Sequence, residues 1–521
     1  MKRIVPLLLG ISALLMGVMS DRAKADVKLH SLFTDGAVLQ REKRIPIWGT
    51  AREGEQVTVS IQGQKANTTA QNGHWQVNLR PLKAGGPFTM MVKGDNSVEV
   101  KNILVGEVFV CSGQSNMEWP LYATENAAPV LAASTDAQLH LFTVPHAMSF
   151  YPVTDVNATW QSANPQTTRD FSAVAYFFGR HLRQKLNVPI GLIETAWGGT
   201  PAEAWTRREV MLAKPELAWM VKNHDEQKKS YPEQQVTYQR LMEKWTSDAE
   251  QAKKDGKPEP KKPDAPGDPL NPWGPSILYN GMIAPLLPYA VRGALWYQGE
   301  SNAGRAYQYG TLFPEMIKNW REDFEQKDLP FYFVQLAPWR AIDTQPVESD
   351  WAELRETQRQ TQLTLKNTGM AVITDVGDVE DIHPRKKREV GERLALWALA
   401  NLFRQPVEFS GPEYKGIEVK DGKAYLTFSH LGGGLTTAPN GGAGNDKLTG
   451  FTVAGPDGRY MKAEAQIEGD KVVVWSSAVS FPVAIRFGWS NYPVLNLFNK
   501  AGLPASPFRT DDYPFTTKPR D

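Results

Sequence analysis

Residues 103–117 read Ile103-Leu104-Val105-Gly106-Glu107-Val108-Phe109-Val110-Cys111-Ser112-Gly113-Gln114-Ser115-Asn116-Met117. The first nine lack the apolar–polar alternation of a half-exposed strand, the pattern expected when both faces are buried. A Ser-Gly-Gln-Ser-Asn turn follows at once. Similar runs recur at 188–195, 291–297, 329–336 and 369–374. Helix-like segments over 171–186, 309–324 and 353–365 separate them, and another over 389–403 follows the last. Within 309–324, Leu312, Phe313, Met316, Ile317 and Trp320 fall at helical spacing. Strand alternating with helix predicts an α/β domain over 105–405, built on a parallel sheet covered on both faces.

The flanks have a different rhythm. Residues 26–104 carry short alternating runs, such as Gln56-Val57-Thr58-Val59-Ser60-Ile61 and His74-Trp75-Gln76-Val77-Asn78-Leu79, divided by Gly, Asn and Asp. They predict a small sandwich-like β domain. From 406 to 521 the β pattern returns in Gly416-Ile417-Glu418-Val419, Lys423-Ala424-Tyr425-Leu426-Thr427-Phe428 and Lys471-Val472-Val473-Val474-Trp475. Gly432-Gly433-Gly434 and Asn440-Gly441-Gly442 read as turns. An insertion at about 216–270 interrupts the central domain. Its first part is charged and compatible with a helix. Its second, 253–269, is dense in Pro, Lys, Asp and Gly and predicts an exposed loop.

A chain of 521 residues points to two to four domains. Net charge is +1, from 58 basic and 57 acidic residues, which gives no electrostatic reason to expect a nucleic acid or an anionic membrane as partner. Lys2 and Arg3 precede an apolar run over 4–19, and Ala23-Lys24-Ala25 supplies the small residues of a cleavage site. This predicts a signal peptide over 1–25, cut after Ala25, and a periplasmic or secreted protein with no membrane span once it is removed. The run is 16 residues, short for a hydrocarbon core of ~30 Å, so an anchor is the lesser reading. Cys111 is the only cysteine. No intrachain disulfide is possible, and its apolar setting predicts a buried structural thiol.

The chemistry lies just after the predicted parallel strands. Ser115 follows the first, Gly198 and Gly199 the second, Gln298 to Asn302 the third, and Asp381 to His383 the last. In open α/β sheets the carboxyl ends of the strands form the ligand-binding edge. Ester hydrolysis needs a nucleophile, a base and donors aimed at the oxyanion. Ser115 is the candidate nucleophile, and His383 is the candidate base among eight histidines. Asp381 or Glu380 is placed to orient the imidazole. Asn302 can donate a side-chain amide hydrogen, and Gly198 or Gly199 a backbone N–H, beside that of Ser115. Met117 stands where a Gly-x-Ser-x-Gly elbow needs glycine. No His-Glu-x-x-His pattern is present, and His140 and His146 lack a ligand partner, so no metal site is expected.

Four segments resemble the sialate O-acetylesterase family within the SGNH-type hydrolases: Gly113-Gln114-Ser115-Asn116-Met117, Trp197-Gly198-Gly199-Thr200, Trp296-Tyr297-Gln298-Gly299-Glu300-Ser301-Asn302 and Asp381-Ile382-His383-Pro384. The likeness covers about 104–405, and the flanking β regions match the family's layout. It implies a flavodoxin-like catalytic fold and acyl-ester hydrolysis with neither metal nor cofactor. It implies Ser115 and His383 as the core pair, with Ser115, one of Gly198 and Gly199, and Asn302 as the oxyanion hole. Many SGNH enzymes carry the acid three residues before the histidine, here Glu380. The Asp-x-His form of some members favours Asp381. A Ser-His pair oriented by a backbone carbonyl is the remaining alternative.

The expected substrate is an O-acetylated carbohydrate, with O-acetyl sialic acid first by resemblance and acetylated xylan or another plant polysaccharide second. Gln114, Gln298 and Trp197 are the candidate substrate contacts, and Gln298 has bracing of the loops as a second possible role. Trp119, Trp205 and Trp296 also lie in or beside the motifs, where aromatic faces suit sugar C–H faces and core packing is the commoner use. A sialic acid carboxylate calls for an arginine, with Arg305 and Arg340 as candidates. Two other classes are a non-catalytic carbohydrate-binding protein, which the intact Ser115, Asn302 and His383 disfavour, and a lipid esterase or thioesterase, which lacks an obvious apolar lid.

Overall fold

A computed structural model of the chain describes residues 26–438 and 447–519. The predicted signal segment and the Asn440-Gly441-Gly442 turn lie outside the described residues.

The central sheet contains β1 (Ser97–Gly113), β2 (Asp136–Thr143), β3 (Gln161–Ala163), β4 (Ile190–Ala196), β5 (Gly293–Tyr297), β6 (Phe331–Val334) and β7 (Thr368–Ala371). Their spatial order is β3-β2-β4-β1-β5-β6-β7. All neighbours are parallel except the antiparallel edge pair β3–β2. Six of the helices position the site: α1 (Ser115–Glu118), α2 (Ala173–Leu186), α3 (Pro215–Lys254), α4 (Ala306–Asp323), α5 (Asp350–Thr364) and α6 (Lys387–Asn401). Successive side chains of β1 enter opposite cores. Val108 and Val110 pack with Trp296, Phe313 and Trp320. Phe109 and Cys111 pack with Val174, Phe178 and Leu394. That two-sided burial is why residues 103–111 show no alternation.

Two features were not read from the sequence. Residues 97–113 form one continuous strand. Its first part alternates, with Val100 in and Glu99 and Lys101 out, and everything from Ile103 to Gly113 is buried. The first part pairs antiparallel with Gly85–Lys93 of the N-terminal β region, and the second part is the middle of the parallel sheet. The buried Glu107 at this junction accepts from Gln40, Arg41 and Arg292, which compensates its desolvation. Neither β2 nor the edge strand β3 was read from the sequence. The polar start of β2, Asp136-Ala137-Gln138, hides a strand that inserts beside β4.

The 216–270 segment begins as the 40-residue helix α3. Only its first turns are buried, through Leu217, Ala218, Met220, Val221 and His224. Beyond it the chain returns without regular structure, tied back where His224 meets the Pro269 carbonyl at 2.7 Å. The C-terminal strands form small antiparallel sheets around a separate core that includes Leu426, Val453, Val474, Ile485 and Phe508. This part is bound to the central domain by Arg355, which donates to the Gly488 and Ser490 carbonyls, and by Glu353, which accepts from Thr516 and Thr517. No helix among the described residues is long and apolar enough to cross a membrane.

Gly113 is where β1 turns into the site. Its φ is +144°, and a Cβ there would lie 2.2 Å from the Tyr297 carbonyl oxygen. Gly113→Ala is expected to lower stability by at least ~2 kcal/mol through backbone strain and displacement of β5. A fall in the urea midpoint at unchanged m-value checks this.

Candidate active site

The carboxyl ends of β1, β4, β5 and β7 deliver the four segments to one edge. Ser115 is the first residue of α1, so its N–H has no acceptor within the helix. His383 arrives on the loop between β7 and α6. Its Nε2 lies 2.8 Å from Ser115 Oγ, across 268 positions of sequence. Both residues are half-buried, which leaves the pair accessible. The Trp119 ring stacks on the imidazole at 5.0 Å between centroids and restrains its plane.

Asp381, not Glu380, is the carboxylate beside the imidazole. Asp381 Oδ1 accepts the His383 backbone N–H at 2.8 Å and lies 3.4 Å from Nδ1. The second contact is longer than a good hydrogen bond and is an electrostatic neighbour in this state. Asp378 shapes the loop by accepting the Glu380 and Asp381 N–H groups, and Glu380 faces solvent. The His383 pKa is lowered, first by burial and then by the Lys387 charge, with Asp381 opposing both. A lowered value leaves more of the imidazole as free base.

The glycine segment is held from two sides. The Gly198 N–H donates to Glu118 Oε2 at 2.6 Å. The Gly199 carbonyl accepts from Trp273 Nε1 at 2.9 Å. Gly199 has φ +73°, and its N–H has no acceptor among the described residues. Glu118 also contacts His146 Nε2 at 2.9 Å, and His146 stacks on Trp197 at 3.9 Å. Glu194, buried behind this cluster, has its pKa pushed up to about 8 by burial and by Glu118.

Asn302 is buried and its orientation is set by three bonds. Oδ1 accepts from the Ala202 N–H at 2.9 Å and from Gln298 Nε2 at 2.6 Å. Nδ2 donates to Glu203 Oε2 at 2.9 Å. Its second amide hydrogen has no acceptor among the described residues. Glu203 is in turn held by Arg305.

The other sequence candidates separate by burial. Gln298 is fully buried, with its amide on Asn302 and the Thr200 carbonyl. Of its two roles, this is the geometry of a loop brace. Gln114 is also buried, and its Oε1 accepts from the Gly299 and Ser301 N–H groups, so it braces the same turn. Trp205 and Trp296 are core residues. Trp197 is half-buried at the rim. Arg340 pairs with Asp350 and lies over the Trp339 and Trp351 rings.

Four further residues belong to the site. Trp273, 58% exposed, comes from the loop after α3. It lies just beyond the 216–270 insertion, where a lone tryptophan among Pro272, Asn271 and Gly274 carries no periodic signal. Asn116 and Glu300 sit inside quoted motifs, and Lys387 looks like one cation in the basic run 385–388. Asn116 Nδ2 donates to Glu300 Oε1 at 2.6 Å and to the Ile382 carbonyl at 3.1 Å. Its Oδ1 accepts from the buried Lys387 ammonium. Asn116→Ala would leave these groups unpaired in the interior. The expected loss is at least ~2 kcal/mol of stability, checked by thermal and urea unfolding beside the wild type.

The chain matches the family model described as carbohydrate esterase, sialic acid-specific acetylesterase, over residues 105–252 and 265–400. It is 30% identical to the sialate O-acetylesterase of Mus musculus over 471 residues, 81% of this chain and 82% of that one. It is 29% identical to the sialate O-acetylesterase of Homo sapiens, over 77% of this chain and 76% of that one. Among solved structures it resembles a carbohydrate acetylesterase from Xanthomonas citri with a TM-score of 0.79 and 37% identity, covering 94% of this chain and 100% of that chain.

Proposed function

The chain belongs to the sialic acid-specific acetylesterase family of carbohydrate esterases, and we propose that it releases acetate from O-acetylated sugars with Ser115 as nucleophile and His383 as base. The observation that carries this reading is the 2.8 Å contact between Ser115 Oγ and His383 Nε2, within proton-transfer reach. Ser115 Oγ attacks the acetyl carbonyl carbon while its proton passes to Nε2. The tetrahedral oxyanion collapses, and the sugar oxygen leaves with the proton from Nε2. Water then attacks the acetyl-enzyme by the same route, and acetate and free Ser115 result. Asp381 orients the imidazole and stabilises the transient imidazolium.

The oxyanion donors in this reading are the N–H of Ser115, the N–H of Gly199 and the second amide hydrogen of Asn302. Gly199 is preferred over Gly198 because the Gly198 N–H is engaged by Glu118. The finer fold assignment is the flavodoxin-like SGNH type. It is supported by the order β4-β1-β5-β6-β7, which in chain numbering of these five runs 2-1-3-4-5. The accompanying division is a β domain over 26–104, a catalytic domain over 105–405 and a β domain over 406–521, with export after cleavage at Ala25.

On the alcohol side, Trp197 and Trp273 offer ring surface to a sugar at the rim. O-acetyl sialic acid is the first substrate by family. One observation favours the second reading, an acetylated neutral plant polysaccharide such as xylan. Both arginines considered for the sialic acid carboxylate are engaged elsewhere, Arg305 with Glu203 and Arg340 with Asp350. Acetate release from 9-O-acetyl sialic acid and from acetylated xylan separates the two. A neutral-sugar site gives the higher kcat/KM on xylan, and a sialate site the reverse.

Ser115→Ala is expected to abolish acetate release from p-nitrophenyl acetate, with a drop of at least ~10³-fold in kcat and an unchanged unfolding curve. Turnover at the wild-type rate by the folded variant would end the nucleophile assignment.

A further inference from the structure

A charge is buried beneath the reactive pair where neither helix nor core requires one. Lys387 opens α6, and it is fully buried. A cation is disfavoured at that position, because the first turn of a helix carries the positive end of its dipole. An apolar side chain of similar length would fill the space without desolvating an ammonium. No carboxylate lies within ion-pair distance of Lys387 among the described residues. Its ammonium donates to Asn116 Oδ1 and lies 5.6 Å from the Trp119 ring centroid and 5.5 Å from that of Tyr297. Trp119 is the ring stacked on His383.

The surrounding charges are few. Glu300 faces Lys387 from the turn after β5, and Asp381 and His383 face it from the loop before α6. Glu300 gives one oxygen to Asn116, and its other oxygen is buried without a hydrogen-bond partner among the described residues. Asn116 is adjacent to Ser115, and its other bond is to Ile382, adjacent to His383. The ammonium is therefore bonded to a side chain that links the nucleophile turn to the histidine loop.

We propose that Lys387 is a positioning residue for the reaction: its buried ammonium fixes the Asn116 bridge between Ser115 and His383 and disfavours a second positive charge on the imidazole, holding His383 as the free base. The inference rests on the Ser115–His383 reading. Burial brings Lys387 down to about 7, with Glu300 and Asp381 opposing, so the lysine is charged in the acid range where an ordinary histidine takes a proton.

The test is the pH profile of kcat/KM on p-nitrophenyl acetate for the wild type and Lys387→Gln. Glutamine keeps a donor for Asn116 and removes the charge. The His383 pKa rises in the variant, so the acid limb moves to higher pH. The ratio of variant to wild type then falls as pH falls, by up to about tenfold for each unit of displacement. A structural role alone lowers kcat/KM by the same factor at every pH, and that result, or an unmoved limb, overturns the proposal. If Lys387→Gln does not fold, Lys387→Met carries the test. It fills the buried space with an apolar side chain and removes the charge, and it must move the limb in the same direction or the proposal fails. Ser115→Ala in the same assay keeps the two failures distinct. An inactive Ser115→Ala with an unmoved limb in Lys387→Gln removes only the lysine's role, and an active Ser115→Ala removes the base assignment beneath it.

Discussion

Asn116 stands next to Ser115, and its amide reaches three other segments of the chain. One hydrogen goes to the Ile382 carbonyl beside His383, the other to Glu300, and the oxygen accepts from Lys387. Every polar atom of that amide is used, and both Asn116 and Lys387 are fully buried. A buried polar group that loses its partner forfeits the whole desolvation free energy, so such a network has one low-energy arrangement. The distance between serine and imidazole follows from that arrangement, because the reactive side chains hang on the residues beside it.

A second network holds the oxyanion side by the same principle. Arg305 holds Glu203, Glu203 holds the Asn302 amide nitrogen, and Gln298 and the Ala202 N–H hold its oxygen. Gln358 of α5 reaches the Gln298 carbonyl from behind. Gln298, which looks like a sugar contact in the motif, is thus spent inside the protein, where it keeps a donor pointing outward. The surface left for a substrate is aromatic: Trp197 at the rim, and Trp273 from the loop that returns after α3. The long helix has a role in this. His224 near its base ties down the returning chain at Pro269, four residues before Trp273.

The C-terminal β region bears on the same edge. Tyr492 donates to the Gly377 carbonyl at 3.3 Å, on the loop that carries Asp381 and His383. Asn491 bonds Ser349 and Arg340, and Arg355 reaches the Ser490 carbonyl. The histidine loop is therefore supported by Asn116 on its inner side and by this region near its start. That geometry suits a loop whose position must be held to a few tenths of an ångström for proton transfer.

The central strands and helices were legible because burial leaves a periodic trace: Val108 to Cys111 without alternation, and Leu312, Phe313, Met316, Ile317 and Trp320 at helical spacing. The gathering of Ser115, Gly199, Asn302 and His383 at one edge was legible too, since parallel strands joined by right-handed crossovers put all their carboxyl ends on the same side. Strand β2 was not, because its polar start, Asp136-Ala137-Gln138, interrupts the apolar run that marks the other parallel strands. Nor was the continuity of residues 97–113, since a strand that passes from one sheet to another changes its pattern of exposure without a break in the chain. Which carboxylate meets His383, which glycine keeps a free N–H, and whether Gln298 faces sugar or protein were decided only by tertiary structure. Those outcomes depend on distances and angles between segments far apart in the chain, and hydrogen bonds and charges are sensitive to both, whereas the hydrophobic burial that marks the fold depends on neither so sharply.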